Sequence, residues 1–378
     1  MIDLSIEISG ICFKNPVMNA AGPAGRDGNA LKVVAAHGAG GLVTKTISDT
    51  PAKVPRPCLA ILDRRIAHPK GLLNVETWSD IPYRQWVEKE LKIALETGLP
   101  LIASVGYLPE QIKKIADLIE NCGVHAIEFS THYLGKRPIV EVAKVLKEEV
   151  DIPVFAKLSP QGAKIAMFAK AAEKAGVDGI VAINSFGPCL HIDITTGKPY
   201  LGGENGYGWI SGPALKPLAI RCVAEVARTV RIPVIGVGGV MSGEDAVEHF
   251  MAGATAVQIC TGAILEGPSI YSRVVKEIEE FMKKNGYSCI GDIRGIALKH
   301  LPKEVLRTHS VSPKVDEKKC TGCGVCIRTC VYNALALNKG IKKTIVSVDG
   351  KKCYGCGLCV SLCPVHAITF GNNCAPST

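Results

Sequence analysis

Through the first three hundred residues, short unbroken apolar runs alternate with longer stretches whose apolar positions recur every three or four residues. The runs at 16–19, 41–44, 101–105, 126–130, 154–158, 179–184, 234–237 and 256–260 are rich in Val, Ile and Ala. A strand covered on both faces reads this way, because neither face meets water. The stretches between them, such as EQIKKIADLIENCG, VEVAKVLKEEV, AKIAMFAKAAEKAG and SGEDAVEHFMAGA, each carry one apolar stripe, as a helix laid on a sheet must. Eight strands, each followed by helical sequence, predict an α/β fold of the (β/α)8 TIM-barrel type. Two further short strands, in LSIEIS and ICFK, are expected to close the bottom of the barrel. The alternation fails near 301–313. The expected organisation is a barrel over 1–300, a linker over 301–313 and a small α+β domain over 314–378.

Composition adds limits. The net charge is +9, yet the lysines recur along helices without a basic, aromatic-interleaved patch. Nucleic acid is therefore not an expected partner, whereas an acidic redox protein is compatible with the charge. No apolar run approaches a membrane span, and MIDLSIEISG has neither the basic region nor the apolar core of a leader. Of the 16 cysteines, half are scattered singly, mostly beside apolar residues. Reduced core thiols read so, and the cytoplasm is the expected compartment. Aliphatic barrel helices would permit a homodimer.

The remaining cysteines fall in two runs, CTGCGVCIRTC (Cys320, Cys323, Cys326, Cys330) and CYGCGLCVSLCP (Cys353, Cys356, Cys359, Cys363). Each spells C-x2-C-x2-C-x3-C, which lets three thiolates on one loop cap three irons of a cubane. In two-cluster ferredoxins the fourth cysteine of each run ligates the other cluster. That rule assigns Cys320, Cys323, Cys326 and Cys363 to one 4Fe–4S cluster, and Cys353, Cys356, Cys359 and Cys330 to the other. A zinc site needs four ligands at looser spacing and matches a doubled run poorly. The C-terminal domain is expected to be bacterial-ferredoxin-like and to move electrons.

In such barrels the chemistry lies on the loops that follow the strands. The glycine-rich GVGGVMSGEDA and CTGAI follow the seventh and eighth strands and lead into helices, so their backbone N–H groups suit a phosphate. Ser242 and Asp245 form a capping box at the first of these helices. Clusters that carry single electrons require a group that splits electron pairs, and flavin mononucleotide does so with a phosphate to anchor it. Lys45 and Lys157 end the second and fifth strands, where a cation can stabilise charge on a reduced flavin. Asn184 and Ser185 offer donors and acceptors to a ligand amide, or else cap a turn.

Taken together, NPVMNAAG, VTKTIS, FAKLSP, AINS, SGPALKP, IGVGGV and ICTGA resemble the class 1 dihydroorotate dehydrogenases. With the trailing two-cluster segment, nearly the whole chain is similar to the catalytic subunits of bacterial NAD-dependent dihydropyrimidine dehydrogenases. The resemblance implies FMN surrounded by Ala21, Gly22, Lys45, Thr46, Lys157, Asn184, Ser185, Ser211, Gly212, Gly238, Gly239, Thr261 and Gly262. It also implies hydride transfer between a ring carbon and the flavin while a side chain moves a proton at the neighbouring carbon.

The substrate motifs depart from this pattern. Where the family carries Asn-x-Ser-Cys-Pro-Asn, this chain has Glu128-Phe-Ser-Thr131-His132-Tyr133. Where dihydroorotate enzymes place Asn-Ser-Met-Gly-Leu-Pro-Asn, it has His68-Pro-Lys70-Gly71-Leu-Leu-Asn74. A carboxylate and a phenol cannot offer a ring diamide what two amides offer. The candidate catalytic residues are Thr131 at the base position and His132, Glu128 and His68, whose types suit proton transfer better than an unactivated hydroxyl. Cys189 and His191 are secondary candidates on the glycine-rich stretch 186–209, which reads as a loop lid. The expected activity is oxidation or reduction of a CH–CH bond in a small cyclic or conjugated acid or amide, with Lys70, His68 or Arg137 meeting any anionic group. A dihydropyrimidine or dihydroorotate dehydrogenase with a rearranged pocket, and a non-catalytic electron-transfer subunit, are the alternatives. Without a Rossmann fingerprint, the electron partner is expected to be an NAD(P)H-oxidising flavoprotein subunit or a ferredoxin.

Overall fold

The computed structural model describes residues 2–63, 70–305, 308–339 and 344–370. The chain divides into two compact units, Met1–Lys299 and His300–Thr378. The first unit contains strands β1 (Ile6–Ile8), β2 (Ile11–Phe13), β3 (Val17–Asn19), β4 (Leu42–Val43), β5 (Leu59–Ile61), β6 (Leu72–Asn74) and β7 (Leu101–Val105). It continues with β8 (Ala126–Ser130), β9 (Val154–Leu158), β10 (Gly179–Ala182), β11 (Phe186–Cys189), β12 (Gly208–Ser211), β13 (Val234–Val237) and β14 (Ala256–Ile259). Eight of them form the sheet β3-β14-β13-β10-β9-β8-β7-β4, and every ladder in it is parallel.

A side chain closes this sheet into a barrel. Asn19 Oδ1 accepts from Val43 N–H at 2.9 Å, and Asn19 Nδ2 donates to the Val43 carbonyl at 2.6 Å, so one buried amide imitates a ladder residue between β3 and β4. Gly40 N–H donates to the Val17 carbonyl below it at 2.7 Å.

Strand alternation then builds the interior in layers. Met18, Val43, Ile102, Ala126, Phe155, Val181, Ile235 and Ala256, one from each strand, pack together in the barrel core. Ile8 and Phe13 of the β1–β2 hairpin join this layer, so the hairpin serves as the expected bottom plug. Residues between these positions pack in the larger cluster that also holds the helices.

The stretch 186–209 is not a loop lid. β11 and β12 pair with each other, and β12 continues through β6 to β5, making a four-stranded antiparallel sheet. Leu73, Val75 and Leu201 form its own small core. Glycines and prolines masked the strand pattern in the sequence.

The second unit pairs Lys314–Val315 with Ile368–Thr369 and Leu335–Lys339 with Thr344–Val348, both antiparallel. The short helices Val325–Arg328 and Leu358–Ser361 lie within the two cysteine runs.

Asn19→Ala leaves a buried donor and acceptor of Val43 without partners, each costing about 1–3 kcal/mol. The variant is expected to unfold at a clearly lower urea concentration by tryptophan fluorescence, and an unchanged midpoint would refute the closing role.

Candidate active site

Two residues beyond each member of the apolar layer, the same strands or their exits present Ala20, Lys45, Ser104, Glu128, Lys157, Ile183, Val237 and Gln258. All eight line one cleft of about 1100 Å3, open mouth included. The floor of the cleft is thus the next layer of the barrel, and there the interior turns polar.

Glu128 is wholly buried, and Lys157 nearly so. Lys157 Nζ lies 3.2 Å from Glu128 Oε1 and 3.3 Å from Gln258 Oε1, while Gln258 Nε2 donates to Glu128 Oε2 at 2.7 Å. The three side chains close a ring across β8, β9 and β14, and Glu128 Oε1 is left without a well-directed donor. Lys45 Nζ meets Glu76 Oε2 at 2.5 Å, and Glu76 also lines the cleft. Each of the two lysines thus carries its own carboxylate. Among the described residues, the lining holds no further Lys, Arg, Asp or Glu.

His132 follows β8 with a positive φ of 47°, which turns its ring into the cleft. Its Nε2 lies 2.7 Å from the hydroxyl of Tyr107, which also lines the cleft, and the rings pack 4.8 Å apart. Trp78 packs edge-on against Tyr107. Burial, aided by the Lys157 charge, pushes the His132 imidazole down to about 4. Burial also raises Tyr107 far above the usual phenol range. At neutral pH the couple is an uncharged imidazole on an uncharged phenol. Asn184 Nδ2 donates to Ser130 Oγ at 3.2 Å, and its Oδ1 accepts from Ser185 N–H at 2.8 Å.

The glycine loops enter from the other side. Gly238 and Gly239 have φ of 123° and 79°, and a Cβ on Gly239 would lie 2.4 Å from the Lys216 Cβ, so only glycine brings the backbone to this wall. His249, fully buried, holds the Gly238 carbonyl at 3.1 Å through Nε2. At the start of the helix Gly243–Met251, however, side chains of the protein take several of the donors. Asp245 accepts from the N–H groups of Met241 and Ser242, both at 2.9 Å, and Glu277 accepts from Gly243 N–H at 2.6 Å. The expected capping box is present, and it diverts the start of this helix from a ligand. Thr261 and Gly262 open the helix Thr261–Glu266, where the first N–H groups have no intrahelical acceptor, and both line the cleft.

Ala21, Gly22, Lys45, Thr46, Lys157, Asn184, Ser185, Ser211, Gly212, Gly238, Gly239, Thr261 and Gly262 all come together on the cleft wall. So do Glu128 and His132. Thr131 is buried away from the lining, because strand alternation points it to the other face. Tyr133 does not reach the cleft either. Its hydroxyl donates to the Ser185 carbonyl at 2.9 Å and accepts from Gly187 N–H at 3.3 Å, bracing the entry to β11. Lys70 leans on Asp63 at 3.6 Å and Arg137 on Glu141 at 2.6 Å, and neither lines the cleft. Cys189 and His191 are also absent from the wall, with His191 packed edge-on against Tyr200. His68 lies outside the described residues. The reading of motifs missed Ser104, Tyr107, Glu76 and Gln258. Counting two positions on from the apolar layer finds Ser104 and Gln258, whereas Tyr107 and Glu76 come from loops with no such register.

In the second unit, Cys320, Cys323, Cys326 and Cys363 line a hollow of about 310 Å3, open solvent included. Another of about 410 Å3, again with open solvent included, is lined by Cys330, Cys353, Cys356 and Cys359, together with Cys326. Among the described residues, no three His, Cys, Asp or Glu side chains converge as a single metal ion requires. Separated thiols around a void suit a cubane better than a mononuclear zinc. Burial first, then neighbouring thiols, raises Cys326 and Cys359, whereas a backbone N–H at Val325 lowers Cys323.

Comparison with known proteins agrees with this layout. Residues 135–282 match the family model described as dihydroorotate dehydrogenase, and residues 313–370 match a 4Fe-4S dicluster domain. The chain is 37% identical over 308 residues to the catalytic subunit of dihydroorotate dehydrogenase B (NAD+) from Methanothermobacter thermautotrophicus, covering 78% of this chain and 98% of that one. The Methanosarcina mazei protein of the same description is 38% identical over 309 residues, covering 78% and 95%. A crystal structure of DHODH from Eimeria tenella in complex with ferulenol superposes with a TM-score of 0.67 at 19% identity, over 79% of this chain and 89% of that one, and supports the fold. No helix among the described residues is long and apolar enough to cross a membrane. A (β/α)8 cleft with paired lysines on its floor, fused to a 4Fe–4S domain, therefore belongs to an oxidoreductase, and the chain is a member of the dihydroorotate dehydrogenase family.

Proposed function

We propose that this chain is an FMN- and iron–sulfur-dependent catalytic subunit that exchanges electrons between a CH–CH bond of a small cyclic or conjugated substrate and an external partner. The observation that carries the reading is the cleft floor. There Lys157 is fixed by Glu128 and Gln258, Glu128 Oε1 is buried without a donor, and a neutral His132–Tyr107 couple stands on the same wall. A flavin ring, which carries an N–H as well as carbonyls, suits such a floor. The backbone at Gly239, Val240, Thr261 and Gly262 would hold the phosphate, and Lys45, Lys157 and Asn184 the ring edges. FMN supplies the conversion between two-electron substrate chemistry and single-electron steps. Two 4Fe–4S clusters, one for each thiol-lined cavity, would lead onward to an NAD(P)H-oxidising flavoprotein subunit or a ferredoxin.

The protein's own work is to bind, orient and hold a proton. Asn184 and Ser185 meet the polar edge of the substrate, and the β5–β6–β11–β12 sheet supplies Leu59, Leu72 and Asn74 to the wall. His132 and Tyr107 present a proton that leaves from an uncharged group. Among the described residues the cations of the cleft, Lys45 and Lys157, are both compensated, which favours an uncharged amide over a carboxylate. The relatives, which are dihydroorotate dehydrogenase catalytic subunits, favour a second reading, dihydroorotate itself.

Anaerobic isolation with iron, sulfide and FMN analysis is expected to find about one FMN and two cubanes for each chain. Substrate-dependent bleaching of the flavin separates an enzyme from a mere relay. Reoxidation of the reduced flavin by uracil-type amides, and not by orotate, supports the uncharged class. Fast reoxidation by orotate establishes the dihydroorotate reading instead.

Tyr107→Phe is expected to slow flavin reoxidation by substrate about 100-fold or more while FMN affinity stays unchanged. Since His132 remains neutral down to about 4, the acid limb of the wild-type rate is expected near that pH. A limb near 6.5, the ordinary imidazole value, would refute the burial-depressed His132 on which this prediction rests.

Glu128→Gln removes the negative charge that compensates Lys157. The flavin midpoint potential should rise by tens of millivolts, as a freed cation stabilises added electrons. A spectroscopic redox titration reads this directly, and an unmoved potential would show that the pair does not tune the flavin.

A further inference from the structure

The positive charge of this chain is unevenly placed. Between Pro313 and Phe370 there are nine Lys and Arg against three Asp and Glu, a surplus of six in a chain whose whole surplus is nine. Each cysteine run is preceded by two lysines, Lys318-Lys319 before Cys320 and Lys351-Lys352 before Cys353, all four exposed. The first pair follows directly on Asp316-Glu317, which offset it. The second has only Asp349 nearby, 3.8 Å from Lys352 Nζ.

The two cavities also differ in their rims. Around the cavity of Cys330, Cys353, Cys356 and Cys359, Tyr332 and Tyr354 stack at 4.8 Å. Tyr354 is 64% exposed and Val331 78%, and Leu358 beside them is exposed as well. Apolar side chains gathered in the open beside a redox site, with lysines next to them in sequence, have the composition of a small transient interface. Such encounters bury little area and draw their rate and orientation from charge.

We propose that this end of the C-terminal unit is the docking face for an acidic, soluble one-electron carrier protein, with Lys351 and Lys352 steering it and Val331, Tyr332, Tyr354 and Leu358 forming the contact. The inference rests on the reading that both cavities hold clusters. One electron passes in each encounter, from the reduced carrier to the cluster beside the face or in reverse, with no bond made or broken.

The test uses the full-length holoprotein and, as probe, a chemically reduced acidic plant-type ferredoxin, followed by stopped-flow absorbance under anaerobic conditions. The second-order rate should fall steeply with added salt, since exposed charges are screened within about 10 Å at 0.1 M ionic strength. Lys351→Glu with Lys352→Glu should lower the low-salt rate at least about tenfold, in the range of electrostatic steering, and approach wild type at high salt. Lys318→Glu with Lys319→Glu should stay within about twofold of wild type under the same steering argument. Equal losses in both double variants, no loss in either, or a rate that rises with salt would overturn the docking face. Iron, sulfide and dithionite bleaching are measured on the same samples. If the wild-type protein lacks clusters, the proposed function itself fails and this inference with it.

Discussion

A charge buried in the floor of a barrel's cleft must be compensated there, and this requirement shapes the whole cleft. Removing a carboxylate and an ammonium from water costs several kcal/mol for each ion, repaid only by close geometry and filled lone pairs. Lys157, Glu128 and Gln258 satisfy it from three strands, which fixes the relative height of β8, β9 and β14. A slip of one residue in any of these ladders would turn its floor residue outward and leave the others unpaired. The ion pair therefore holds the register of the barrel at the level where the chemistry sits.

Above and below that level, the same alternation does opposite things. One layer of eight apolar residues seals the interior, and the next supplies the polar floor. Much of this was legible in the sequence. The strand runs, the barrel, the bottom hairpin and the cysteine spacing all follow from period and spacing, and the cleft gathers all thirteen residues that the motifs pointed to. The charge state of the floor was not legible. That Lys45 meets Glu76 depends on β6 leading from the mouth sheet back to the cleft, a contact across 31 residues that no local pattern encodes.

The proton-bearing wall was half legible for a different reason. His132 was visible as a residue type, but its orientation depends on a positive φ that an L-residue adopts only when its surroundings demand it. Thr131, one position earlier, occupies the family's base position in the motif and points away by alternation. Tyr107 carries no motif at all, and its place follows from the packing of Trp78 and His132 around it. The mouth sheet was misread as a loop because Gly187, Pro188 and Gly208 interrupt the apolar alternation by which strands are found.

The two thiol-lined cavities are braided through the chain. Cys330 belongs to the first run and lines the second cavity, while Cys363 belongs to the second run and lines the first. Neither set of four thiols exists until both halves of the C-terminal unit have folded together. Maturation is then a late event: a chain still emerging from the ribosome short of Cys353 can complete neither site, and one short of Cys363 still lacks the last thiol of the first. Reactive iron–sulfur chemistry is thereby withheld until the polypeptide is long enough to enclose it.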